Sequence, residues 1–234
     1  MDRDDDGKLV ECRELSKVYR QGGVDVAALN GVDLLVGRGE FLALAGPSGS
    51  GKTTLLNLIG ALDRPTSGQV WVDGRDLGAM SRGELAGLRL RRIGFVFQAY
   101  NLIPVLSARE NVEFTLELQG VPAVERHRRA AEILDEVGLA ELHRRRPHEL
   151  SGGQQQRVAV ARALVAKPAL VLADEPTANL DSATGSALLE MMRRMNEERR
   201  VTFVFSTHDP MVMHFARRLV HLKDGRVAGD EVRE

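Results

Sequence analysis

The segment Gly46–Thr53 constrains this chain more than any other. It reads GPSGSGKT, which matches the pattern GxxxxGK[ST], and it lies between the apolar run Phe41–Ala45 and a helical apolar pattern over Lys52–Leu62. Glycines in such a loop let main-chain N–H groups converge on phosphates, and the helix N-terminus adds positive potential. The segment therefore predicts a nucleotide phosphate site. The residues expected to contact the nucleotide there are Gly46, Pro47, Ser48, Gly49, Ser50, Gly51, Lys52, Thr53 and Thr54.

Two residues of this loop have specific expected roles. Lys52 is expected to reach the β- and γ-phosphates of ATP, and the Thr53 hydroxyl is expected to bind Mg²⁺. The alternative is a glycine-rich turn without a ligand. The strand and helix patterns on either side favour the phosphate loop.

A second apolar run ends in two carboxylates. Leu170–Ala173 is followed by Asp174 and Glu175, and strand ends of a nucleotide-binding sheet face the ligand. Asp174 is expected to join the Mg²⁺ shell. Glu175 is expected to polarise the attacking water, either as general base or as water-orienting group. The alternative for either carboxylate is capping of the following helix.

A second glycine-rich segment, LSGGQ, opens another helical pattern. Ser151 is expected to cap that helix, and Gly152 and Gly153 to expose N–H groups, so that residues up to Gln154 form a second γ-phosphate site. The alternative is a flexible turn followed by a helix. One nucleotide has one triphosphate, so either two lobes of the chain fold together over it or a second copy completes the pocket.

Strand and helix patterns alternate along most of the chain and predict an α/β fold with a mainly parallel sheet covered on both faces. Residues 107–142 have helical periods throughout, which predicts a helical lobe. The predicted organisation is a flexible tail at 1–8, an ATP-binding core at 9–98 and 151–234, and a helical subdomain at 99–150. The predicted strands are Leu9–Arg13, Val26–Val36, Phe41–Ala45, Gln69–Asp73, Ile93–Phe97, Ala169–Ala173, Val201–Phe205 and Leu219–Leu222, and the predicted helices outside the lobe are Lys52–Leu62, Ser81–Arg92, 151–166 and Ser182–Arg199.

The composition excludes several classes of protein. The formal net charge of −1 argues against a nucleic-acid partner. Cys12 is the only cysteine, so no intrachain disulfide and no cysteine-rich metal site is expected, which suits a reducing cytosol. The acidic opening MDRDDDGK does not resemble a secretory signal. The longest charge-free run, Ile93–Ala108, is shorter than the roughly 20 apolar residues of a membrane span.

Taken together, GPSGSGKT, LSGGQ and LVLADE resemble the Walker A, signature and Walker B motifs of the ABC-transporter ATPases, and the resemblance covers Leu9 to Val227. It implies a RecA-like P-loop NTPase core with an N-terminal antiparallel β part and an inserted helical lobe. Further single residues follow from it. Tyr19 is similar to the family's adenine-stacking aromatic residue, Gln98 to the glutamine that touches Mg²⁺ and the attacking-water region, Asp181 to the aspartate of the D-loop, and His208 to the switch histidine that contacts the γ-phosphate.

The resemblance also implies partners. Two copies would meet head to tail, each holding ATP between its own Lys52 loop and the partner's signature segment, at the inner face of the cell membrane beside a separate permease. PTANLD and FVFQAYNLIPVLSARENV are most similar to the group with lipoprotein-releasing, macrolide-exporting and cell-division ATPases. Ala178 and Gln155 depart from frequent choices in that group, glycine and an acidic residue. The substrate is not predicted.

One alternative to transport stays open at this point. A mechanical regulator of a membrane partner in cell division shares nearly all the motifs. Soluble ABC ATPases usually carry two ATPase halves or a long coiled-coil insertion, and neither is expected here. The permease is expected to dock near 98–110. Apolar residues there form a groove for a partner helix or pack within the helical lobe, and they are Tyr100, Leu102, Ile103, Val105 and Leu106.

Overall fold

The computed structural model describes residues 7–233. The predicted tail, 1–8, therefore lies outside the described residues except for its last two positions, and Lys8 already belongs to the first strand. The ten strands of the described residues are β1 Lys8–Gln21, β2 Val24–Gly37, β3 Phe41–Ala45, β4 Ser67–Val72, β5 Arg75–Asp76, β6 Ile93–Val96, β7 Leu170–Asp174, β8 Thr202–Thr207, β9 Arg218–Lys223 and β10 Arg226–Val232. The α-helices are α1 Lys52–Ile59, α2 Arg82–Arg92, α3 Ala108–Leu118, α4 Ala123–Glu136, α5 Gly152–Leu164, α6 Ser182–Arg199 and α7 Pro210–Phe215.

The strands form two sheets. The first is antiparallel, in the order β2-β1-β4-β5. The second has the order β10-β9-β3-β8-β7-β6, and its strands are parallel except for β10, which pairs antiparallel to β9. The predicted α/β fold, with a mainly parallel sheet, an N-terminal antiparallel part and a helical region, is confirmed.

Strand β1 is much longer than the predicted Leu9–Arg13. The pairing register shifts between Cys12 and Leu15, and Glu14 between them has a φ of 45°. Such a bulge adds a residue to one strand, so the two-residue alternation of apolar side chains breaks there. The prediction ended at that break, although the strand continues beyond it.

Three further elements were missed, one of them the two-residue strand β5. The β10 strand is an edge strand whose side chains are mostly exposed, so it lacks an apolar pattern. The α7 helix has only six residues, but Asp209 caps it and Pro210 occupies its first turn, which are recognisable start signals.

Two apolar cores lie on opposite faces of the parallel sheet. Alternate side chains of one strand take part in different cores, as Phe41 and Ala43 do on one side and Leu42 and Leu44 on the other. The first core also contains the buried residues of α3 to α6, and the second joins α1 to the antiparallel sheet. The limits of the helical subdomain at 99 and 150 stay a prediction.

Within residues 7–233, none of the helices is both long enough and apolar enough to cross a membrane.

Candidate active site

The predicted phosphate loop connects β3 to α1. Gly46 has a φ of 153°, and a Cβ added to it would lie 2.2 Å from the carbonyl oxygen of Leu222 on β9. Glycine is therefore required at this position by both backbone conformation and contact. The α1 helix begins after Gly51 and has no side-chain cap, so no capping side chain competes with a ligand for its first N–H groups.

The Lys52 side chain lies inside the loop. Its Nζ donates hydrogen bonds to the carbonyl oxygens of Gly46 at 2.8 Å and Pro47 at 2.9 Å, and the residue is only 6% exposed. The ammonium group is therefore held inside the predicted phosphate loop.

Thr53 and Asp174 meet at the start of α1, although they are far apart in the sequence. The Thr53 hydroxyl donates to Asp174 Oδ1 at 3.1 Å. Mg²⁺ in nucleotide sites is usually held by one or two protein oxygens together with substrate phosphates. One hydroxyl and one carboxylate fit that requirement. Residues 7–233 contain no cluster of three or more acidic, histidine or cysteine side chains that would suit another metal site.

Glu175 adopts a left-handed backbone conformation with a φ of 46°. Its N–H donates to the Ser206 carbonyl at 2.9 Å. The side chain is mostly buried, with Oε1 2.7 Å from His208 Nδ1 and Oε2 accepting a hydrogen bond from the Thr207 hydroxyl at 3.4 Å. Left-handed non-glycine residues cost about 1–3 kcal/mol and are concentrated at functional sites. The backbone turn at the end of β7 thus directs this carboxylate towards His208.

Lys52, Thr53 and Glu175 line one cleft of about 620 Å³, and Asp174 contacts its wall through Thr53. Its walls are formed by the phosphate loop, by residues that directly follow β7 and β8, and by the antiparallel sheet. The lining residues are Tyr19, Ala28, Pro47, Ser48, Gly49, Gly51, Lys52, Thr53, Thr54, Gln98, Glu175 and His208. The structure therefore brings Tyr19, Gln98 and His208, which come from three different regions of the sequence, to the same cleft.

Tyr19 lines the cleft from β1. Its hydroxyl donates to Asp63 Oδ2 at 2.9 Å, and the Lys17 Nζ lies 4.8 Å from the ring centroid. Partial burial raises the pKa of the Tyr19 hydroxyl, and the hydrogen bond with Asp63 adds to the rise. The ring is thus a neutral, fixed surface at neutral pH.

The signature segment, Ser151–Gln154, lies outside this cleft. Ser151 caps α5: its Oγ accepts from the Gln154 N–H at 3.3 Å, and Gln154 Oε1 accepts from the Ser151 N–H at 2.9 Å. A Cβ on Gly153 would lie 2.4 Å from Thr184 Cγ2 of α6, so this glycine also permits close packing. None of the residues 151–154, all within the described part of the chain, lines the cleft that holds Lys52.

Asp181 caps α6, because its carboxylate accepts bonds from the Thr184 N–H at 3.0 Å and the Thr184 hydroxyl at 2.6 Å. These hydrogen bonds lower the pKa of the Asp181 carboxyl. The residue predicted to act in the D-loop therefore also starts a helix beside the signature segment.

The supporting contacts of three residues were not predicted from the sequence, although Asn179 belongs to the predicted D-loop, Asn179–Asp181. Thr207 contacts Glu175, Asn179 Nδ2 donates to the Gln98 carbonyl at 2.9 Å, and Asp63 accepts from Tyr19. Thr207 immediately precedes His208 and has a hydroxyl group, which is a weak signal. No sequence signal indicated Asp63, since it lies far from Tyr19 in the sequence.

Comparison with known families places these motifs in context. Residues 29–178 match the family described as ABC transporter. An uncharacterized ABC transporter ATP-binding protein of Thermotoga maritima is 49% identical over 226 residues, which cover 97% of this chain and 96% of that protein. A macrolide export ATP-binding/permease protein MacB of Syntrophobacter fumaroxidans is 50% identical over 219 residues, which cover 93% of this chain but only 31% of that protein.

A solved structure is similar over nearly the whole chain. It is the ATP-binding cassette MJ0796 of Methanocaldococcus jannaschii, in a dimeric post-hydrolysis state bound to ADP and Pi. The TM-score is 0.89 at 43% sequence identity, with 97% of this chain and 99% of that chain covered.

Proposed function

Because this chain belongs to the ABC transporter family of ATP-binding proteins, and is therefore an ATPase, we propose that it drives a separate membrane permease of export type as a homodimer that shares its ATP sites. Its similarity to a macrolide export protein supports an export role. Its place is then the cytoplasmic face of the cell membrane, where it binds the permease peripherally.

The residues of the cleft bind different parts of Mg-ATP. Lys52 and the N–H groups at the start of α1 bind the phosphates, and Tyr19 stacks on the adenine. Thr53, Asp174 and Gln98 would hold Mg²⁺, which when bound stabilises negative charge on the phosphates. The contact between Thr53 and Asp174 supports this assignment.

Glu175 and His208 act on the reacting end of ATP. The Glu175 carboxylate accepts the proton of the attacking water or orients that water, because it directly follows β7 beside the phosphate loop. His208 uses Nδ1 for Glu175, so its Nε2 is the atom left to contact the γ-phosphate. The mostly buried Glu175 carboxylate and the exposed His208 ring are thus in direct contact.

The single observation that carries the shared site is the position of the signature segment. Ser151–Gln154 form a capped helix start outside the cleft that holds Lys52. Since a helix N-terminus is an anion site, its N–H groups are suited to a phosphate presented by a second copy. The dimeric state of the similar cassette supports a head-to-tail dimer with two composite sites.

The permease is proposed to dock at a groove at the β6 edge of the parallel sheet. The groove has a volume of about 620 Å³ and lies between α2, α3 and α5. Of the predicted docking range, 98–110, only Asn101 is among its lining residues. Leu102 packs against the helical core and Asn111 holds the Ile103 main chain at 2.7 Å, so the proposed contact shifts towards Leu62, Phe97 and Leu118.

One set of variants tests this proposal. Glu175→Gln should bind ATP normally, lose turnover by about 100- to 10,000-fold, and form an ATP-dependent dimer in light scattering. In that background, Ser151→Arg should leave ATP binding to the monomer unchanged and prevent the dimer. Ser81→Arg is the matched control, because Ser81 caps α2 with the same reciprocal bonds and lies outside the site.

Each outcome has a clear meaning. Normal turnover in Glu175→Gln would show that Glu175 is not the base. Weaker ATP binding by the Ser151→Arg monomer would mean that the signature segment closes over its own chain's nucleotide. A dimer that forms in spite of Ser151→Arg would remove this segment from the interface.

A further inference from the structure

Behind the Tyr19 ring lie two charged side chains that do not line the nucleotide cleft. Lys17 is two residues before Tyr19 on β1, and Asp63 lies in the loop that follows α1. Both are partly buried, with side-chain exposures of 12% for Lys17 and 33% for Asp63.

The three side chains form a closed set of contacts. Asp63 accepts from the Tyr19 hydroxyl through Oδ2 at 2.9 Å and from Lys17 Nζ through Oδ1 at 2.8 Å. Lys17 Nζ also donates to the Arg64 carbonyl at 2.7 Å and lies 4.8 Å from the Tyr19 ring centroid. The ring is therefore fixed at its hydroxyl, and one of its faces is covered by a cation.

Main-chain contacts join the same two segments. The Thr66 N–H donates to the Ser16 carbonyl at 2.9 Å, and the Val18 N–H donates to the Thr66 hydroxyl at 3.0 Å. The loop after α1 is thus attached to β1 on both sides of Lys17. Since α1 starts in the phosphate loop, Asp63 fixes the position of Tyr19 relative to the phosphate-binding helix.

We propose that Lys17 and Asp63 are positioning residues that hold the Tyr19 ring ready to stack on the nucleobase. This inference rests on the proposed stacking role of Tyr19. The cation covers one face, so the base stacks on the opposite one. Ordering the ring before ATP arrives removes a cost that binding would otherwise include, because a free tyrosine side chain must be immobilised. The pair therefore sets affinity for the base and leaves phosphate chemistry unchanged.

The test distinguishes binding of the base from binding of the phosphates. Binding of ATP and of inorganic tripolyphosphate is measured for Tyr19→Phe, Lys17→Met and Asp63→Ala by calorimetry. Each should weaken ATP binding by about two- to tenfold, the effect of freeing one side chain, and leave tripolyphosphate binding unchanged. Steady-state assays should show a higher KM for ATP at an unchanged kcat. Arg20→Met on the same strand is the control for loss of positive charge.

A double-variant cycle distinguishes positioning from general stability. In a Tyr19→Ala background, Asp63→Ala should have no further effect on ATP affinity, because the ring it positions is gone. Equal weakening of ATP and tripolyphosphate, or an Asp63→Ala effect that persists without the ring, would overturn the proposal. So would Tyr19→Ala weakening ATP binding while Asp63→Ala leaves it unchanged. If Tyr19→Ala itself leaves ATP binding unchanged, the stacking role of Tyr19 fails first.

Discussion

Single charged residues connect elements that are distant in the sequence, and Asp73 shows this most clearly. Its carboxylate accepts bonds from Arg38 at 2.8 Å and from Arg92 at 2.7 Å, so it joins the end of β2 to the last residue of α2. Burial alone would raise the pKa of the Asp73 carboxyl, but the two guanidinium groups outweigh it and lower that pKa. The charged form is therefore favoured by folding.

Asp73→Asn tests this connection without disturbing the turn. Asp73 has a φ of 53°, and asparagine tolerates that conformation as aspartate does. We expect a loss of about 1 kcal/mol in the free energy of unfolding at neutral pH, a low value because both arginines are partly exposed. Urea unfolding measures it, with Asp25→Asn on the exposed hairpin as control.

The pH dependence of this difference follows from the direction of the pKa shift. A carboxyl whose pKa is lowered in the folded state stabilises it fully above the ordinary value of 3.8. The advantage of the natural protein over Asp73→Asn should therefore be constant at neutral and mildly acidic pH and decrease as the pH falls below 3.8. A difference that grows on acidification would contradict the assignment.

At the level of elements, two helices start in the same way but have different neighbours. Ser81 begins α2 and Ser151 begins α5, each with reciprocal capping bonds, and glycine is the second residue of both helices. A Cβ on Gly83 would meet nothing within 4 Å, whereas one on Gly153 would meet Thr184 at 2.4 Å. Only the second glycine is required by packing.

Alanine substitution of these glycines should have opposite effects. Gly153→Ala should lower the free energy of unfolding by about 1–3 kcal/mol through overpacking. Gly83→Ala, the matched control, should raise it by about 0.5–1 kcal/mol because glycine is a poor helix former. Thr184→Ser removes the obstructing methyl group but keeps the hydroxyl bond to Asp181, so it should rescue Gly153→Ala. No rescue would mean that the strain lies elsewhere.

At the scale of the whole molecule, a groove lies at the β6 edge of the parallel sheet, between α2, α3 and α5. Exposed apolar side chains adjoin it, and Leu118 on α3 is 58% exposed. An exposed apolar surface of this kind is typical of a site for another protein. The groove shares no lining residue with the nucleotide cleft, so the proposed docking there leaves the cleft accessible to ATP.

Leu118→Glu should abolish co-purification of the co-expressed permease, because a charge would be buried in an apolar contact. Basal ATP hydrolysis by the isolated subunit should be unchanged. Val124→Glu is the control, since Val124 is 84% exposed on α4 and does not line the groove. Intact co-purification of Leu118→Glu would exclude the groove as the docking site.

Some elements of the fold could be predicted from local sequence patterns alone. The bounds of β3 and α6 were predicted to the residue, because each has a continuous apolar or helical pattern and clear start signals. The second half of β1 and all of β10 were missed. A bulge disturbs the pattern in the first, and the exposed side chains of an edge strand remove it in the second.

The sequence by itself determined the phosphate loop, the carboxylates that end β7 and the capped signature helix, because each depends on consecutive residues whose chemistry is local. Only the tertiary structure decided which distant residues meet. The strand order β3-β8-β7 brings Asp174 to Thr53 and His208 to Glu175. The loop after α1 brings Asp63 to Tyr19, and Ser151 lies outside the cleft, at the start of a helix that packs on α6. Strand order and packing depend on the whole chain, so no local pattern encodes these contacts.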